Sequence, residues 1–378
     1  MRVLVISNGY GEDAMAAILA RELSNHVDLV EALPTVGAGK SYEGVCETVG
    51  PRGKLASEGH RKVGSLFKDF QHGLALTAVK HVKFMRDNRG RWDKVVTVGD
   101  IIGPLLAFAG GHKVDLHLDV YNSGYARQYS VAEKQALKRC VCKVLCRDDI
   151  LAGSLRALNI DAGFAGNLMM DTVPELDLDI ASLMTGKIAI TLLPGSREHA
   201  PKLFAVEMEA INRLSQKHPL ILFVPVAQGV DVGTLIQKAG LRNLIDQNLL
   251  GEQHLAIAAT FDQTEVHFFE KGIGTLARQS RVVVGQAGTA GFQSAGLGIP
   301  VIALVPEDAR PQRVRRNERL MGESRITSPV DANQIANKLE PLLKDAKEAE
   351  RRGKIGIERM GPPGALDAAV RIIAGSAN

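Results

Sequence analysis

The stretch Ile188-Ala189-Ile190-Thr191-Leu192-Leu193-Pro194-Gly195-Ser196-Arg197-Glu198 runs from an unbroken apolar segment into a Pro-Gly-Ser-Arg turn, and a helical pattern begins at Ala200. A short apolar run without polar alternation reads as a strand buried on both faces, which is the habit of parallel sheets. A strand that turns directly into a helix leaves backbone N–H groups unpaired at the helix start, a natural place for phosphate. Gly195 lets a diphosphate approach the backbone, Ser196 can donate a hydrogen bond, and Arg197 supplies a fixed charged fork. A plain turn with a solvent-facing arginine is the competing reading, and on these residues alone both stay open.

Outward from this turn, the same grammar covers the whole chain. Apolar runs at 3–6, 27–30, 95–98, 114–118 and 141–145 are followed by a second series at 188–193, 220–224, 266–269, 282–284 and 301–305. Helical patterns lie between many of them, at 13–23, 200–215, 272–279 and 331–343. Alternation of this kind implies an α/β protein with parallel sheets covered by helices on both faces. A segment rich in Pro and acids at 171–186 separates the two series, so the sequence predicts two doubly wound, Rossmann-like domains facing across a cleft. The first spans 1–170, the linker 171–186, the second 187–360, and a last helix 365–374 closes the chain. A length of 378 residues suits two cores better than one.

A second turn of the same type follows the strand at 282–284: Gly285-Gln286-Ala287-Gly288-Thr289-Ala290-Gly291-Phe292-Gln293. Gly288 and Thr289 would meet phosphate at a helix start, and Gln293, about one helical turn on, would reach a ribose diol. Close helix–sheet packing explains small residues equally well. Two such turns in one domain favour a ligand over either turn alone. Further on, the stretch from Arg310 to Arg325 carries Gln312, Arg313, Arg315, Arg316 and Arg319, which suits a clamp for a donor's phosphates or sugar.

The first domain has two candidate loops. Ser7-Asn8-Gly9-Tyr10-Gly11-Glu12-Asp13 follows the first strand and holds Gly-x-Gly without a third glycine, an incomplete dinucleotide fingerprint. Glu12 and Asp13 suit the positive end of a helix dipole but repel phosphate. Asn8, Gly9, Gly11 and Glu12 are therefore assigned to the acceptor side, with Asp13 or Glu12 near the sugar. Val98-Gly99-Asp100 ends another strand, and an acid at that position faces the expected cleft as a general base, or else caps the next helix.

A formal charge of +4 is mild and gives no reason to expect nucleic acid. The surplus is local: between Arg61 and Lys94 there are nine Lys or Arg against three Asp, interleaved with Val63, Leu66, Phe67, Phe70 and Val79. That mixture fits an interfacial face on anionic lipid, and equally a core-facing helix with a solvated basic side. No apolar stretch approaches the roughly 18 residues of a spanning helix, and no leader is evident, so the expectation is a cytoplasmic protein in peripheral contact with a membrane through 61–94. Cys140, Cys142 and Cys146 fall on one face of a period-2 reading. With Cys46 they are read as reduced thiols rather than metal ligands, because no fourth ligand follows at a useful spacing.

Taken together, these residues resemble the lipid-A-disaccharide synthase family, and more closely its "lipid-A-disaccharide synthase-related" branch. The match rests on Leu192-Leu193-Pro194-Gly195-Ser196-Arg197, on Gly288-Thr289-Ala290 with Gln293, and on Ala165-Gly166-Asn167-Leu168-Met169-Met170-Asp171. Ser7–Asp13, Val98–Asp100 and Arg359-Met360-Gly361-Pro362-Pro363-Gly364-Ala365 also fit. The resemblance implies a GT-B fold, a UDP-sugar as co-substrate with no cofactor and no catalytic metal, and a lipid-linked acceptor. It also implies that the segment 361–378 crosses back to the first domain. Asp100 matches an acid proposed as catalytic in that family, and Asp13 its N-terminal glycine-rich loop. This sequence has Gln293 where the synthases have a ribose-binding glutamate, and Asn167-Leu168 where they have His-Pro, which separates the donor site from the lipid-A acceptor. The function expected is transfer of a hexosamine or hexose from a UDP-sugar, with Asp100, or Asp13 as second choice, as the base. A UDP-sugar 2-epimerase of the same architecture and a non-catalytic nucleotide-sugar-binding subunit are the alternatives.

Overall fold

The computed structural model describes residues 1–52, 74–195, 199–227, 229–245, 251–260, 264–286 and 288–375. Ser196, Arg197 and Ala287, together with the basic segment at 61–73, lie outside the described residues. The chain divides into two compact units, Met1–Thr172 joined by the segment from Gly361 on, and Val173–Met360.

In the first unit, β1 (Arg2–Ser7), β2 (Leu29–Pro34), β3 (Glu47–Thr48), β4 (Lys94–Gly99), β5 (Val114–Asp119), β6 (Val141–Leu145) and β7 (Ala162–Gly163) form one sheet in the order β3-β2-β1-β4-β5-β6-β7. All pairs are parallel. Strands β1 and β4 read as near-continuous buried runs because helices cover both faces. Leu4, Ile6, Leu33, Met85, Trp92 and Val114 share one core cluster. The apolar run expected at 27–30 is displaced: Val27 belongs to the turn after helix Tyr10–Ser24, its N–H bonded to Leu23 O at 3.1 Å, and the strand starts at Leu29. The cysteines also differ from expectation. Cys140 closes helix Val131–Cys140 before β6 begins, so Cys140 and Cys146 are buried while Cys142 is exposed; all four are free.

The last helix, Ala365–Ala374, belongs to this unit. Asp171 holds its start: the carboxylate accepts from Gly364 N at 2.6 Å and Leu366 N at 3.1 Å, an acid at the positive end of a helix. Asn167 N donates to Pro362 O at 2.8 Å beside it.

The second unit contains β8 (Ile188–Leu193), β9 (Leu220–Val226), β10 (Arg242–Ile245), β11 (His254–Ala259), β12 (Glu265–Glu270), β13 (Val282–Gly285), β14 (Val301–Val305) and β15 (Arg325–Pro329), in the order β10-β11-β12-β9-β8-β13-β14-β15. From β12 to β15 neighbours are parallel. β10 and β11 are antiparallel additions, because a connection as short as that between β11 and β12 can close a hairpin but not a crossover. The charged stretch after Lys344 is a helix, Ala346–Met360, laid against helix Thr289–Gly296. The approach is close: a Cβ on Gly353 would lie 1.9 Å from Gly298 O, and one on Gly356 2.3 Å from Ala295 O. That packing fixes the helix that starts at the second glycine turn.

Candidate functional site

In each sheet the chain leaves two neighbouring parallel strands in opposite directions. In the first unit the reversal lies between β1 and β4, and in the second between β8 and β13. Loops leaving the carboxyl ends of the strands diverge at such a point and leave room for a ligand. The four loops read from sequence leave these four strands.

In the second unit, β8 and β13 end in register, Leu193 opposite Gly285, and Gln286 N donates to Leu193 O at 3.2 Å. Gly285 sits at φ +147°, where a side chain is strained, and its Cβ would lie 2.2 Å from Leu193 O. The turns adjoin, since a Cβ on Gly195 would lie 3.7 Å from Gln286 Oε1. Gly288 then opens helix Thr289–Gly296, and no side chain caps that end among the described residues. Gly288 and Thr289 are exposed, whereas Gln293 is buried at 4%. Gln312 is exposed on the first turn of helix Pro311–Met321. Thus Gly195, Gly288 and Thr289 are brought together at the switch point, with Gln293 one turn further on.

In the first unit, Asn8 follows β1 and Asp100 follows β4, and the Asn8 amide Nδ2 donates to Asp100 Oδ1 across the reversal. Asp100 Oδ1 also accepts from Ile102 N at 2.9 Å, capping helix Ile102–Ala109. Among the described residues no hydrogen bond falls on Asp100 Oδ2. Gly99, at φ +141°, makes room: its Cβ would lie 1.7 Å from Asn8 Oδ1. Glu12 folds back over Gly9, where a Cβ would lie 2.2 Å from Glu12 Oε2. Burial raises the Glu12 pKa above its usual range, and the Asp100 charge adds to this. Gly11 stands in the first turn of helix Tyr10–Ser24.

Asp13 takes a different place. It is 2% exposed and accepts from Ser7 Oγ at 2.6 Å, and Ser7 Oγ lies 2.7 Å from Tyr42 Oη. Burial pushes its carboxyl up to about 7, against the opposing effect of the Ser7 bond.

Sequence reading missed a buried polar chain behind Asp100. Thr97 Oγ1 and His117 Nδ1 are 2.8 Å apart, and His117 Nε2 and Tyr129 Oη 3.2 Å. Asp119 accepts from the N–H groups of Tyr121 and Asn122 at 2.9 and 2.8 Å. Full burial lowers His117 to about 4, so its ring is neutral although the Asp100 charge opposes the shift. The signal was present in β5, Val-Asp-Leu-His-Leu-Asp, where polar residues alternate within a buried strand. No group of metal-ligating side chains occurs among the described residues.

No protein-family model matches the chain, and no curated protein matches its sequence. Solved structures do match along their length. A calicheamicin glycosyltransferase, CalG4, aligns at TM-score 0.60 with 14% identity, covering 100% of this chain and 99% of that one. MurG of Acinetobacter baumannii aligns at TM-score 0.59 with 14% identity, covering 98% and 99%. A UDP-N-acetylglucosamine 2-epimerase of Neisseria meningitidis, bound to UDP-N-acetylglucosamine, aligns at TM-score 0.57 with 14% identity, covering 99% of each. The chain therefore has the GT-B fold, two parallel-dominated α/β sheets, which glycosyltransferases and UDP-sugar epimerases share.

Proposed function

We propose that this chain is an inverting, metal-independent glycosyltransferase that moves a hexosamine or hexose from a UDP-sugar to a lipid-linked acceptor. The observation that carries the donor half is the pair of glycine turns at one switch point, ending at an uncapped helix start. That one structure of this fold holds UDP-N-acetylglucosamine supports the choice of nucleotide. In this reading the acceptor hydroxyl attacks the anomeric carbon as the bond from that carbon to the diphosphate oxygen breaks. Negative charge grows on the departing UDP, and the N–H groups at Thr289, with Ser196 and Arg197, stabilise it. Gln293 serves the ribose, and Gln312 the sugar or phosphates.

Asp100 takes the proton of the attacking hydroxyl. Its Oδ1 is held by Asn8 and Ile102 N, which leaves Oδ2 for the substrate. Glu12 beside it has its pKa raised by burial and by the Asp100 charge. Asp13 was the second choice as base; its burial against Ser7 and Tyr42 favours Asp100.

The lipid acceptor is supported by the surface beside Asp100. Helix Ile102–Ala109 exposes Ile102, Leu105 and Phe108 at 44%, 43% and 47%. The helix Leu74–Asp87 packed against it exposes Lys80, Lys83 and Arg86 at the same three-residue spacing. An apolar stripe flanked by a basic one suits an anionic membrane surface. No helix among the described residues is long and apolar enough to cross a membrane.

A 2-epimerase is the second reading, favoured by the epimerase of the same fold. Incubation with UDP-N-acetylglucosamine separates them. UDP release that needs added lipid acceptor, and that falls at least a hundredfold in Asp100→Asn while the nucleotide still binds, supports transfer. Formation of the 2-epimer without acceptor makes the chain an epimerase. Binding with neither reaction leaves a binding subunit.

A further inference from the structure

Arg325 opens β15 at the edge of the second sheet, opposite Val301, the first residue of β14. The glycine turn lies at the other end, because Gly285 pairs with Ala303. Arg325 is only 8% exposed, yet its Nε and Nη1 have no hydrogen-bond partner. Two neighbours share the deficit: Ser324, fully buried, with an unpartnered Oγ, and Asn317, 6% exposed, with an unpartnered Oδ1. Asn317 belongs to helix Pro311–Met321, and Ser324 lies against helix Ala346–Met360. There a Cβ on Gly356 would lie 2.6 Å from Ser324 Oγ. Glu318, whose charge acts on Arg325 along with that of Arg313, is engaged by Thr327 Oγ1 at 2.7 Å, and Arg325 forms no ion pair among the described residues. Buried polar groups are nearly always satisfied, and a buried charge without a partner is among the most unfavourable arrangements a fold can hold. Burial lowers Arg325 only to about 10, and Glu318 opposes that shift, so the guanidinium is charged at neutral pH.

We propose that Arg325 forms a binding site for a small oxyanion of the phosphate type at the amino-terminal edge of β15. A guanidinium fork with donors still unpaired matches an oxyanion in charge and geometry, whereas water supplies hydrogen bonds but no countercharge. The site lies two strands across from β13 and at the amino-terminal side of the sheet, away from the glycine turns, so its occupant stabilises the edge of the sheet rather than joining the transfer reaction.

Thermal melts of the full chain in an anion-poor zwitterionic buffer test this, with inorganic phosphate titrated at constant ionic strength against chloride. The melts are run in a Thr289→Glu background, which repels phosphate from the candidate nucleotide turn and so separates the two sites. The midpoint should rise by about 5 °C once phosphate exceeds its dissociation constant a hundredfold. Arg325→Met should abolish that rise and, without phosphate, melt no lower than its parent. A flat response in the parent, or an equal rise in Arg325→Met, overturns the site. Should Arg325→Met fail to fold, equilibrium dialysis of labelled phosphate on the Thr289→Glu chain decides: one phosphate per chain is expected, and none overturns the proposal.

Discussion

Glu207 stands on the core face of helix Ala200–Ser215, the helix that follows the Pro194–Gly195 turn, and is 1% exposed with neither carboxyl oxygen partnered. Burial alone raises its pKa well above the ordinary 4.5. The unfolded carboxyl loses its proton above that value, while the folded one keeps it. The native state therefore binds one more proton, and stability falls as pH rises, by about 1.4 kcal/mol per unit. Between pH 5 and pH 7 the loss is at most roughly 2.5 kcal/mol, the limit in which the folded carboxyl keeps its proton throughout. Glu207→Gln keeps the shape and removes the titration. Urea unfolding of both proteins at half-unit steps from pH 5 to pH 7 should show the variant gaining steadily on the parent, by up to that amount. Other titrating groups, Asp13 among them, cancel in the difference. A constant difference across the range would refute the reasoning, because it would mean that Glu207 ionises in the folded protein or finds a cationic partner.

Two further outcomes follow from the site. Gly285→Ala places a methyl 2.2 Å from Leu193 O at a left-handed φ, and should cost about 1–3 kcal/mol and abolish UDP binding, read by melting and by nucleotide titration. The double change Leu105→Glu and Phe108→Glu alters only exposed positions, and should leave the melting point within a degree or two while removing most flotation with phosphatidylglycerol vesicles. Undiminished flotation would exclude that stripe.

Much of the fold was legible because buried parallel strands announce themselves as apolar runs, and β1, β4, β8 and β14 are such runs. What escaped was set by tertiary pairing. β15 is Arg-Ile-Thr-Ser-Pro, an edge strand with no apolar run, defined by its ladder with β14. β3 and β7 are two-residue strands for the same reason. Pro104 sits in the first turn of Ile102–Ala109, where proline removes no helical bond.

The site shows the same division. Turn chemistry identified the loops, but not which pair meets at each reversal, since that depends on strand order. Asn8 and Asp100 are 92 positions apart and become partners only because β1 and β4 are neighbours. Asp13 and Glu12 are adjacent in sequence, and helix geometry turns one toward Ser7 in the core and the other back over Gly9. Nothing in their types foretells which faces inward.

In the proposed function the diphosphate of UDP rests on the helix start at Thr289. Calorimetric titration of UDP into the parent, Thr289→Glu and Asp100→Asn tests it most directly. One UDP per parent chain is expected, with affinity reduced at least tenfold in Thr289→Glu and unchanged in Asp100→Asn. Equal binding by the parent and Thr289→Glu, or no binding of UDP by the parent, would contradict it.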